Sequence, residues 1–195
     1  MIELHFEFKG ERNYVQGGDI FNGIERVAKE MFSGGFVSLL VFRNLTRRHG
    51  ILTFENQASM PLVATGNILS DNGQCQPFWL FEGDQEVTGR YAFDESSILA
   101  SSDVVAGEKS IIMQLDGTVS PIEYVIALTK RLSYSIVPDI DGKWLFGQLN
   151  LDMPLTHCAA MRIVQKSILP GRMSINEIWL DNARVGTIRF IVGKP

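Results

Sequence analysis

Residues 17–42 read GGDIFNGIERVAKEMFSGGFVSLLVF, and the change of hydrophobic period partway along this stretch decides the fold class. Ile20, Ile24, Val27, Ala28 and Met31 recur at helical spacing and line one face of an α-helix. Asp19 stands where an N-cap carboxylate accepts backbone N–H bonds, and Ser33-Gly34-Gly35 offers glycine for the left-handed turn that ends the helix. The residues at 37–42 are then almost continuously apolar, which reads as a strand. Further strands are expected at 51–54, 62–69, 77–81 and 88–93, with Asp71-Asn72-Gly73 and Glu82-Gly83-Asp84 as turns.

The same order recurs later in the chain. A strand at 111–115 precedes Ser120-Pro121-Ile122-Glu123, a capping box with proline at the first helical position, and the helix runs to about Ile136. Pro138 and Asp139-Ile140-Asp141-Gly142 stop it, and strands follow at 144–153, 159–167, 173–180 and 184–192. At the opening of the chain, Ile2, Leu4, Phe6 and Phe8 alternate with Glu3, His5 and Glu7, the pattern of a half-buried strand. The expectation is therefore an α+β chain of two similar halves at 1–98 and 111–195, joined by a small-residue connection at 99–110. Internal similarity supports this reading: residues 79–93 and 179–190 both read as a Trp-Leu strand, a turn and a Gly-x-x-x-Phe strand. Leu45-Thr46 and Leu155-Thr156 form a shorter match.

Composition narrows the function classes. The chain has 195 residues, 45% hydrophobic and 21% charged, which supports a real core. Its richest apolar run ends at Arg43, short of a membrane span, and its start has neither a basic opening nor a cleavable apolar segment. A soluble, cytoplasmic protein is expected. Cys75 and Cys158 fit no zinc spacing and read as two free thiols, so neither a metal nor another cofactor is expected. With a net charge of −4 and dispersed basic residues, nucleic acid is not an expected partner.

A helix of about four turns followed by antiparallel strands long enough to wrap it resembles the hotdog fold, and two such units resemble a double hotdog. The resemblance spans the whole chain. It implies acyl-thioester chemistry, either thioesterase or hydratase/dehydratase, on substrates carried by coenzyme A or acyl carrier protein. Each helix would pack on a curved antiparallel sheet, with the acyl thioester held in a channel between the halves. Gly18-Asp19-Ile20-Phe21-Asn22 is similar to the Gly-His-Val-Asn-Asn that opens the central helix in one thioesterase branch: Gly18 and Asn22 match, and Asp19 stands in the histidine's place. The dehydratase branch has a histidine in the loop before a central helix, and neither 10–18 nor 116–119 contains one.

These considerations give the candidate residues. Asp19 either caps its helix or directs water at a thioester, while N–H groups near Gly18 and Asn22 polarise the carbonyl. Gly17 and Gly18 allow a substrate close to the backbone. His49 and His157 fall at comparable places after strands and are candidates for proton transfer, against the commoner solvated role. Arg47 and Arg48 are candidates to hold coenzyme A phosphates or an acidic carrier helix, or else they guard a strand edge. Glu25 and Glu123 are expected on solvated helix faces. The competing function is a non-catalytic binding or assembly protein that keeps the fold without an acid–base pair. Whether two chains pair as a homodimer through edge strands is left open.

Overall fold

The computed structural model describes residues 1–57 and 59–195. The chain divides into two compact units, Met1–Phe93 and Asp94–Pro195.

In the first unit the opening alternation is kept, but the segment breaks into β1 (Ile2–Leu4) and β2 (Phe8–Lys9). Helix α1 (Gly17–Met31) is followed by β3 (Phe36–Phe42), β4 (Arg48–Thr53), β5 (Leu62–Leu69), β6 (Cys75–Glu86) and β7 (Arg90–Tyr91). The antiparallel strands lie in the order β1-β4-β6-β5-β3. Ile20, Phe21, Ile24, Val27 and Ala28 form the buried face of α1, against Leu40, Leu52, Ile68, Phe78 and Leu80 of the unit's core. The turn expected at Glu82-Gly83-Asp84 does not form. β6 runs through it because β4 pairs with the strand on both sides of Gly83, Gly50 opposite Glu82 and Arg48 opposite Glu86 with a bulge between, and these ladder bonds outweigh local turn propensity. Gly83 serves a different purpose there, since a Cβ would lie 3.0 Å from the His49 carbonyl oxygen.

The second unit contains α2 (Glu95–Leu99), β8 (Ser102–Val105), β9 (Ser110–Gln114), α3 (Pro121–Ile136), β10 (Lys143–Leu151), β11 (Ala160–Leu169), β12 (Met173–Leu180) and β13 (Ala183–Gly193). Its antiparallel order is β10-β13-β12-β11-β9-β8, with α3 packed on it. The stretch 99–110, expected as a bare connection, carries structure: Asp94 caps α2 through Ser96 and Ser97, and β8 pairs with β9. Lys130 of α3 grips both carboxylate oxygens of Glu95 at 2.9 Å and fixes α2 in place.

Two sequence similarities do not survive in three dimensions. After Trp179 the chain turns at Asp181 and Asn182, both at positive φ, whereas after Trp79 it continues straight. Leu45 is exposed and Thr46 buried, while Leu155 is buried and Thr156 exposed. Glu25 and Glu123 are buried rather than solvated. Glu25 Oε2 accepts the Val37 N–H at 2.8 Å where β3 begins, so this carboxylate satisfies a buried backbone donor.

Candidate active site

The start of α1 differs from the expectation in a way that matters for chemistry. Gln16, in extended conformation, occupies the N-cap position and offers no side-chain cap, and Gly17 is the first helical residue. Gly17 and Gly18 are therefore the first two residues of the helix, and Asp19 is the third. Asp19 is not the cap. Its carboxylate is engaged by a two-stranded parallel ribbon, in which β2 pairs with β7 and sets Lys9 opposite Tyr91. Tyr91 Oη donates to Asp19 Oδ1 at 2.7 Å, and Lys9 Nζ lies 3.8 Å from the same oxygen. Asp19 Oδ2 is buried without a hydrogen-bond partner among the described residues.

Burial pushes the Asp19 carboxyl above its ordinary pKa of 3.8, against the opposing pull of Lys9 and of the Tyr91 hydrogen bond; Glu7 adds to the rise. Lys9 is itself buried, with its ammonium 4.3 Å from the centre of the Phe93 ring.

Asp19 lines a cleft of about 270 Å³. One wall is the opening segment, with Leu4, Phe6, His5 and Glu7, and the other is a stripe of α1 that presents Asp19, Asn22, Gly23 and Arg26. The spacing of that stripe is i, i+3, i+4, i+7, one helical face. Tyr91 closes the end beside Asp19. His5, read in the sequence only as a polar-face strand residue, thus shares the cleft with Asp19. Its signal was the alternation itself, which turns His5 away from Leu4 and Phe6, although the strand reading gave no reason for a cleft there.

The other candidates separate from this cleft. Asn22 lines it, but as the sixth helical residue its backbone N–H lies inside the helical ladder, which already begins with the Ile20 N–H donating to the Gln16 carbonyl. Gly17 and Gly18, expected to bring a substrate close to the backbone, begin the helix but are not among the residues that line the cleft. His49 stands behind the cleft: its Nδ1 accepts the Phe6 N–H at 3.0 Å, so the neutral ring carries its proton on Nε2, and its ring meets that of His5 edge-on at 5.0 Å. Arg48 is committed to β6, donating to the Asp84 carbonyl at 2.8 Å and pairing with Glu86 at 3.5 Å. Arg47 is exposed. His157 is exposed in the second unit, after β10. Its neighbour Cys158 turns its thiol to the Ala160 carbonyl, and burial followed by the Asp181 charge raises that thiol's pKa. Both cysteines are free.

At the start of α3 the arrangement is closed. Ser120 is the N-cap residue and Pro121 follows as expected, but the serine hydroxyl makes no capping bond. Instead the buried Tyr124 donates to Asp116 Oδ1 and accepts the Thr118 N–H at 3.0 Å.

No protein-family model and no curated protein matches this chain. Solved structures do. The dehydratase domain of a mycocerosic acid synthase-like PKS is 10% identical, with 93% of this chain covering 83% of that one at a TM-score of 0.50. The dehydratase domain of PpsC from Mycobacterium tuberculosis, solved in complex with C12:1-CoA, is 9% identical over 92% of this chain and 85% of that one, at a TM-score of 0.49. A candidate thioesterase from Novosphingobium aromaticivorans is 12% identical over 100% and 94% of the two chains, also at 0.49. At these identities the likeness is one of fold, and the chain has the mostly-sheet α+β architecture of a hotdog-fold dehydratase domain.

Proposed function

We propose that this chain is an acyl-thioester enzyme whose chemistry takes place in the cleft along α1, with Asp19 as its proton-transfer group. The observation that carries this reading is the placement of Asp19. It is withdrawn from capping, largely buried, raised in pKa and set on the wall of a cleft beside the unfilled first turn of a helix. A carboxylate so placed accepts a proton from water as that water attacks the thioester carbonyl. The first-turn N–H groups and the positive end of the helix stabilise the oxyanion that forms. The C–S bond then breaks, and the sulfur of the carrier leaves with a proton. Hydrolysis needs only this one carboxylate. Dehydration of a hydroxyacyl thioester needs a second proton carrier, and His5 is the group on the cleft wall that fits it.

In the same reading each compact unit is one hotdog-like half, with a central helix on a curved sheet, and the substrate is an acyl group on coenzyme A or on an acyl carrier protein in the cytoplasm. Arg47 keeps an exposed guanidinium for a carrier, whereas Arg48 is engaged with β6.

A second reading has its own observation. The buried Lys9 needs a counter-charge, and Asp19 supplies it, as it would in a binding protein without catalysis. Single-turnover hydrolysis and dehydration of a panel of acyl-CoA and acyl-carrier thioesters separates the two. Turnover that is lost in Asp19→Asn supports the enzyme. Turnover unchanged in that folded variant refutes the role of Asp19, and binding without turnover of any substrate supports the second reading.

A further inference from the structure

The charges along the cleft are unevenly placed. Asp19 and Glu7 lie toward the ribbon end, where Glu7 packs over Gly89 and adds to the rise in the Asp19 pKa. At the far end is Arg26, an exposed arginine on the cleft wall that makes no ion pair or hydrogen bond among the described residues. Seven residues of helix separate it from Asp19, a rise of about 10 Å. Between them the stripe presents Gly23. A methyl group there would rest in ordinary contact on Leu4 and Phe6 at 3.5 Å, so Gly23 adds no side chain to the wall between the two charged residues. A substrate whose reacting carbonyl sits at Asp19 and which follows the helix stripe along the cleft reaches the Arg26 guanidinium.

We infer that Arg26 binds an anionic group of the substrate, a carboxylate or phosphate oxygen about two helical turns from the reacting carbonyl, and so selects thioesters that carry such a group. Arginine suits this task because its planar fork matches carboxylate and phosphate oxygens in pairs. The anion has two sources. It is either the far carboxylate of a dicarboxylic acyl chain or a phosphate of the carrier arm.

This inference rests on the cleft being the thioester site, and its test reads binding rather than turnover. Four thioether analogues, which cannot be hydrolysed, are titrated calorimetrically into wild type and Arg26→Gln: a monocarboxylic and a matching ω-carboxy acyl group, each on coenzyme A and on phosphate-free pantetheine. Removing a bidentate, charge-assisted contact is expected to weaken binding by roughly tenfold or more. If the acyl carboxylate is the partner, affinity falls in the variant for both ω-carboxy ligands and for neither of the others. If the phosphate is the partner, it falls for both coenzyme A ligands and for neither pantetheine ligand. Equal affinities of wild type and Arg26→Gln for all four ligands, or no binding by wild type, overturn the inference. Arg26-dependent binding without turnover leaves it standing and removes only the catalytic reading.

Discussion

Replacing Lys9 by Met and Asp19 by Asn, singly and together, tests whether the ribbon holds an ion pair at the helix start. The two charges lie 3.8 Å apart, and their side chains are only 4% and 20% exposed. At an effective dielectric constant of roughly 20, Coulomb's law gives an attraction of about 4 kcal/mol at that separation. Either single substitution leaves the other charge buried without its partner, a situation that costs about 3 kcal/mol or more. Lys9→Met also loses the contact with the Phe93 ring, worth about 1 kcal/mol, and so exceeds Asp19→Asn, whose amide still accepts from Tyr91. The double variant removes both charges and keeps comparable volume. Its cost should fall short of the sum of the singles by about 2 to 3 kcal/mol. Urea unfolding of the four proteins at pH 7 measures the cycle, and repetition in high salt should change it little because the pair is shielded from solvent. A coupling below about 0.5 kcal/mol refutes the ion pair and, with it, the account of what holds Asp19 in the cleft.

The raised pKa of Asp19 sets a sign for pH dependence. Because the folded carboxyl keeps its proton to a higher pH than the ordinary 3.8, its contribution to stability is full below that value and is lost as pH rises through the raised one. In catalysis the base is the ionised form, so kcat/KM should fall on the acid side at a pH above 3.8; a limb at or below that value contradicts burial as the dominant influence. Gly66→Ala should destabilise by about 3 kcal/mol in thermal or urea unfolding, since its Cβ would sit 2.0 Å from the Leu39 carbonyl oxygen and 2.5 Å from the Phe78 ring; a neutral result rejects the close approach of β3 and β5. Tyr124→Phe should cost about 1 to 2 kcal/mol, because Asp116 and the Thr118 N–H both lose a partner. Asp116→Asn should leave thioester turnover unchanged, and a loss matching that of Asp19→Asn places chemistry at the second helix as well.

Elements announced by their own periodicity were legible in the chain: α3 and β12 begin and end where the pattern changes. What escaped was decided by partners distant in sequence. Nothing local marks Lys9 as buried, for lysine is ordinarily exposed. Only the parallel pairing with Arg90 and Tyr91 brings the Tyr91 and Phe93 rings and the Asp19 carboxylate around it. Asp19 was visible as a candidate, but its partners were not, and capping was the commoner role for aspartate at such a place. The structure places the N-cap three residues earlier, at Gln16, so that the helix begins at Gly17 and the carboxylate is left to the ribbon. The arginines point the other way: Arg47 and Arg48 form a local cluster in the sequence, whereas nothing local distinguishes Arg26, which the fold places on the cleft wall.

The two long helices start differently. Pro121 removes an N–H from the first turn of α3, and buried Tyr124 binds Asp116 and the Thr118 N–H, so the polar groups there satisfy one another. A thioester carbonyl would find that position already filled. At α1 the first two residues are glycines, no side chain caps them, and the neighbouring carboxylate has one oxygen without a hydrogen-bond partner among the described residues. An unsatisfied buried oxygen costs stability, and a folded protein tolerates that cost most readily where a ligand or a proton completes the site. The same substitution of an acidic residue by its amide at the two helix starts is therefore expected to act on stability alone at Asp116 and on thioester turnover as well at Asp19, and turnover unchanged by both variants refutes the proposed role of Asp19.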